Sequence, residues 1–96
     1  MYMSFNFILQ ATRVLNVGNY DEDELKMIYN FLIALDNEVL NEYYYRRTIL
    51  SYNNDLELYV EILDVMISIY EKREEYEKCH VLKQKKEQSI NILKKI

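Results

Sequence analysis

Tyr70-Glu-Lys-Arg-Glu-Glu-Tyr76-Glu-Lys-Cys79-His-Val-Leu82-Lys-Gln-Lys-Lys-Glu-Gln-Ser-Ile90 decides the fold of this 96-residue chain. It reads as the end of one amphipathic helix, a tight polar turn, and the start of a second helix running back. Everything before it supplies apolar helical surface to pack against. Half of the residues are hydrophobic, 29% are charged, there is no proline, and the one glycine is Gly18. Sheets joined by tight turns need more glycine and proline than this, so the composition points to helices. The expected fold is all-α: a small antiparallel bundle of three to four helices ending in a helical hairpin, as one domain over residues 1–96.

Upstream of the hairpin, residues 55–73 carry two apolar stripes. Leu56, Tyr59, Val60, Leu63, Ile67 and Tyr70 form one; Leu58, Ile62, Val65, Met66 and Ile69 form the other. Two stripes are more than one antiparallel neighbour buries, which predicts a central helix or a subunit interface. It should open after Ser51-Tyr52-Asn53-Asn54-Asp55, where short polar side chains compete with the backbone, and Asn54 stands three residues before Glu57 as a capping box requires. A second such box, Asp21 with Glu24, opens a helix in which Leu25, Ile28, Tyr29, Leu32, Leu35 and Val39 recur at three- and four-residue spacing. No breaker follows, so the spacing predicts one long helix over 22–51, with fraying or a bend near Asn41. Residues 4–16 predict a short helix buried on more than one side, closed by Gly18 in the left-handed position after a helix end. The last helix, over 75–96, presents Cys79, Leu82, Ile90, Leu93 and Ile96, interrupted by Lys86 and Ser89, with Val81 and Ile92 off the stripe.

Charge is unevenly placed. Residues 1–71 carry 4 basic and 12 acidic side chains, a balance of -8, whereas residues 72–96 carry 8 basic and 4 acidic, a balance of +4. Such a tail can complement its own acidic domain, or meet nucleic acid through Lys83, Lys85, Lys86, Lys94 and Lys95. The abundance of Asn, Ile, Lys and Tyr points to an AT-rich genome: a low-GC bacterium, or a phage or mobile element in one. No apolar run approaches a membrane span, no basic n-region opens the chain, and one cysteine forms no internal disulfide; a cytoplasmic protein is expected.

The segment Glu-Glu-Tyr-Glu-Lys-Cys-His-Val-Leu-Lys-Gln-Lys-Lys-Glu, within residues 70–93, resembles the UVR motif, the helical hairpin of the UvrB C-terminus with relatives in UvrC, the McsA adaptor and the linker of Clp-type ATPases. Glu75, Tyr76, Glu77, Lys78, Cys79 and Leu82 match the pattern; His80 stands where a small residue is usual, and Lys83-Gln84 replaces Arg-Asp. The resemblance implies a docking or dimerisation element, with Tyr76 in the hairpin elbow and Cys79 in the seam. It carries no implication of DNA repair.

Catalytic machinery is not expected. His80 adjoins Cys79, but neighbouring helical residues point about 100° apart and do not share a metal. Asp21, Glu22, Asp23 and Glu24 read as capping and dipole compensation. Phosphate-loop, nucleophile-elbow and zinc-protease signatures are absent from the sequence, and no cofactor is called for. The cluster that stands out is Tyr43-Tyr44-Tyr45-Arg46-Arg47. Three consecutive helical tyrosines sweep so wide an arc that at least one must face outward, and Tyr and Arg dominate binding hot spots. The expected function is therefore a non-enzymatic adaptor, accessory or inhibitor protein that docks on a larger machine and forms homo-oligomers. Two alternatives stand beside it: nucleic-acid or nucleotide binding through Arg46, Arg47 and the basic tail, and a structural virion component.

Overall fold

The computed structural model describes residues 11, 13, 15, 18, 20–46 and 54–94, and among these the chain is all-α, with four helices after the turn at Gly18. They are α1 (Glu22–Ala34), α2 (Asn37–Tyr45), α3 (Asp55–Lys72) and α4 (Tyr76–Leu93). The predicted helix over 4–16 falls mainly outside the described residues; Ala11, Arg13 and Leu15 are helical, and Ala11 and Leu15 are buried. Gly18 has the positive φ (73°) expected of it.

Cross-helix contacts fix the directions. Tyr59 meets Leu32, Tyr70 meets Tyr29, and Arg73 meets Glu22, so α3 runs antiparallel to α1. Tyr43 against Tyr59, and Arg46 against Asp55, make α2 antiparallel to α3 as well. Cys79 against Ile67 and Lys86 against Asp64 do the same for α4. α3 is thus the central helix, and it buries Leu56, Tyr59, Ile62, Leu63, Met66, Ile67 and Tyr70. The expected second stripe divides: Ile62 and Met66 turn inward, Leu58 and Ile69 are half-buried, and Val65 lies outward.

Over the described residues the long helix predicted over 22–51 is instead two helices, and the break falls at Leu35 and Asp36 rather than near Asn41; residues 47–51 of that prediction lie outside the described residues. Both residues are extended (ψ 126° and 177°), and Asp36 caps α2 by accepting the Val39 N–H at 3.0 Å. The apolar rhythm runs straight through because Leu35 stays in the core while its backbone turns. Tertiary contacts supply what local sequence does not: Lys85 of α4 donates to the Leu35 carbonyl, and the Gln88 amide donates to the Asn37 side chain. α2 ends at Tyr45, since Arg46 is extended.

Both predicted capping boxes supply their N-caps. Asp21 accepts from the Glu24 N–H at 2.8 Å, and Asn54 from the Glu57 N–H at 2.9 Å. The polar turn between α3 and α4 closes by a Schellman arrangement: the Glu75 N–H bonds to Tyr70 O, and the Glu74 N–H to Glu71 O. Its left-handed position is held by Glu74 (φ 60°), a residue with a Cβ. Glu74→Gly should therefore raise stability by about 0.5–1 kcal/mol, read as a higher urea midpoint at unchanged slope.

The hairpin elbow differs from the one the resemblance implies. Tyr76 is 63% exposed, and the buried aromatic there is Tyr70, edge-on to Tyr29 at 5.6 Å with Lys78 lying over both rings. Cys79 does lie in the seam, its thiol 3.6 Å from Ile67 O. Along α4 the buried line is Cys79, Leu82, Ser89 and Ile92, with Ile90 and Leu93 half-buried. Ser89 is accepted in the core because its hydroxyl donates to Lys85 O at 2.9 Å, which removes the cost of a buried unpaired polar group.

Candidate functional site

The end of α2 divides its tyrosines by helical phase. Tyr43 is fully buried and sits 6.4 Å, centroid to centroid, from Tyr59. Tyr44 is half-buried against the core, and Tyr45 is 80% exposed. The Tyr44 and Tyr45 rings meet edge to face at 5.1 Å and 75°. Arg46 follows on the surface; Arg47 lies outside the described residues. The five-residue cluster thus yields one structural tyrosine, one anchored tyrosine, and one outward ring beside an arginine.

Behind this surface lies a polar junction that sequence reasoning missed. The Asp55 N–H donates to Arg46 O at 2.8 Å, closing the end of α2 onto the start of α3. Asp55 is 2% exposed, and neither its Oδ1 nor the Tyr43 hydroxyl has a hydrogen-bond partner among the described residues. Burial raises the Asp55 carboxyl above the usual range, and the nearby Arg46 charge opposes that rise. Burial, with the negative charges of Asp55 and Glu42, pushes the Tyr43 phenol up to about 12. Tyr59 escapes the same orphaning, because its hydroxyl donates to Leu32 O at 2.6 Å. The sequence placed Asp55 in the polar break before α3, whereas the structure buries it in the first turn of that helix.

The basic tail is partly spent on the fold itself. Lys85 reaches Leu35 O at 2.6 Å, and Lys86 pairs with Asp64 at 2.6 Å. Lys78 pairs with Glu75 at 2.8 Å, and Arg73 donates to Glu22 at 2.9 Å, which lowers the Glu22 carboxyl. Lys83 and Lys94 are exposed and form no ion pair among the described residues; Lys95 lies outside them. Of these five lysines, Lys85 and Lys86 are thus turned to partners within the chain.

Elsewhere the exposed large apolar side chains, Met27, Val65 and Tyr76, lie on three different helices. Asp21 is occupied as an N-cap, His80 is exposed and Cys79 buried, with burial raising the thiol. No three His, Cys, Asp or Glu side chains gather at metal-binding spacing among the described residues, and no helix there is long and apolar enough to cross a membrane. Comparison with protein-family models, with curated proteins and with solved structures finds no match for this chain.

Proposed function

We propose that this chain is a non-enzymatic protein–protein interaction module, an adaptor or inhibitor acting in the cytoplasm, which docks on a larger protein through the end of α2. The observation that carries this reading is the outward Tyr45 ring, held against an anchored Tyr44 and followed by Arg46. A tyrosine already fixed on one side loses little freedom when a partner covers it, which is how rigid aromatic anchors raise affinity. The hairpin of α3 and α4 is the stiff backing for that surface, and its resemblance to UVR hairpins is consistent with a docking role. Self-association uses the same surface or the outward Val65 side of α3.

A tagged pull-down from the native host, with wild type and a Tyr45→Ala/Arg46→Ala variant side by side, tests the proposal. The expected result is one stoichiometric protein whose recovery falls on the order of 30-fold in the variant, as for a central hot spot. Circular dichroism should show the variant as helical as the parent. Undiminished capture by the variant would move the docking site elsewhere. Recovery of nucleic acid released by salt would put the basic surface of Lys83 and Lys94 first, since phosphate contacts are salt-sensitive. Capture of only the chain itself would make the tyrosine end a subunit seam.

A further inference from the structure

We propose that Asp55 is a proton-operated clasp behind the docking end: ionised, it attracts Arg46 across the α2–α3 junction; protonated, it gives up that attraction and sits in the core as a neutral acid. This deepens the proposed docking role and rests on it for its biological meaning, but the device is a property of the chain alone.

The geometry carries the argument. Asp55 belongs to the first turn of α3, where carboxylates are ordinarily solvent-facing and favoured by the helix dipole. Here the residue is 2% exposed, and its Oδ1 has no hydrogen-bond partner among the described residues. An ionised carboxylate buried in that way is costly unless an opposite charge stands near it. Among the described residues, few titratable groups face it. Arg46, at the C-cap of α2, is the cation acting on it, and the Asp55 N–H is bonded to Arg46 O at 2.8 Å. From α2 the buried Tyr43 phenol stands beside it, with the exposed Glu42 acting on that same phenol. On α3 itself, Tyr59 packs against Tyr43. The charge state of Asp55 thus bears both on the Tyr43 phenol and on the arginine beside Tyr45.

The sign follows from linkage. The folded chain holds the Asp55 proton more tightly than the unfolded chain does. The cost of burying the charge is complete above the folded midpoint and fades as pH falls towards the ordinary carboxylate range. Acid therefore relaxes the clasp without opening the core. Above that folded midpoint Asp55 is charged and Arg46 is drawn towards it.

The test is a carbon-13 carboxyl NMR titration of the intact chain, followed together with the backbone amides of Tyr45, Arg46 and Asp55. The Asp55 midpoint should lie above the ordinary aspartate value of about 3.9. The three amides should move with that midpoint, in wild type and in Glu42→Gln, and that movement should vanish in Asp55→Asn. Arg46→Ala should raise the Asp55 midpoint further, because the opposing charge is gone. A midpoint at or below the ordinary value overturns the proposal, as does an Arg46→Ala midpoint equal to that of wild type. Amide shifts that follow Glu42 instead, and disappear in Glu42→Gln, overturn it too. The wild-type titration decides the first point even if the Asp55→Asn chain does not fold. Because the partner takes no part in the measurement, failure here leaves the pull-down result intact.

Discussion

Tyr59→Ala is expected to destabilise the fold by about 3–5 kcal/mol, while Tyr45→Ala changes stability by less than about 0.5 kcal/mol. The two residues are the same amino acid on neighbouring helices, so the contrast isolates position from chemistry. Tyr59 is fully buried on α3, lies edge-on to Tyr43, and donates to the Leu32 carbonyl at 2.6 Å. That carbonyl is one of the last four of α1, which have no partner within their own helix. Truncation therefore removes a ring from the core, leaves a cavity between α1, α2 and α3, and orphans a helix terminus. Tyr59→Phe separates these effects: the ring remains and the bond is lost, for a cost of about 1–2 kcal/mol. Urea denaturation at constant slope measures all three variants. A loss of several kcal/mol takes much of the stability of a domain this size, so the alanine variant should be partly unfolded at 37 °C. Equal losses at Tyr59 and Tyr45 would show that Tyr45 is structural and remove the docking argument at its root.

The comparison of tyrosines also shows what the sequence could reveal. The all-α fold was legible because the capping pairs at Asp21 and Asn54 are local, and the apolar stripes of α1 and α3 needed only helical spacing. That one of three consecutive tyrosines must face outward was equally legible, since helix geometry forces it. Which one does so depends on where α2 begins, and that start was hidden. The break at Leu35 and Asp36 keeps the apolar rhythm, and it is held by Lys85 and Gln88 some 50 residues away. Tyr76 misled for the complementary reason: a pattern of residue types places an aromatic in the elbow, but Tyr70 already fills it. The burial of Asp55 was illegible because the charge sits at a position where local rules predict exposure, and what buries it is tertiary packing rather than its own helix.

Lys85→Ala should cost about 1.5–3 kcal/mol, the range for a charged hydrogen bond to a group that is then left unpaired. Its ammonium reaches 2.6 Å to Leu35 O, at the C-terminal end of α1, and α1 has no basic residue in its own last turn. The positive charge that favours a helix C-terminus is therefore delivered from α4, and the same contact pins the turn that aims α2 and its tyrosines. Lys86→Ala should cost no more than about 1 kcal/mol, because its pair with Asp64 is largely solvated, and Lys83→Ala should be near neutral. Urea midpoints of the three variants give the order directly. If it holds, the positive balance of residues 72–96 is in good part a self-complement of the acidic region, and loss of nucleic-acid binding in a Lys85 variant would report misfolding rather than a phosphate contact. The fair probe of the nucleic-acid alternative is then the Lys83→Ala/Lys94→Ala variant, whose lysines touch no acid among the described residues. If salt-sensitive binding exists, that pair should flatten its salt dependence by up to about two phosphate contacts while leaving stability unchanged. Three equal and negligible lysine effects would instead make the tail plain solvated surface, and the turn at Leu35 would have to be held by its buried side chain, the Asp36 cap and the Gln88–Asn37 bond.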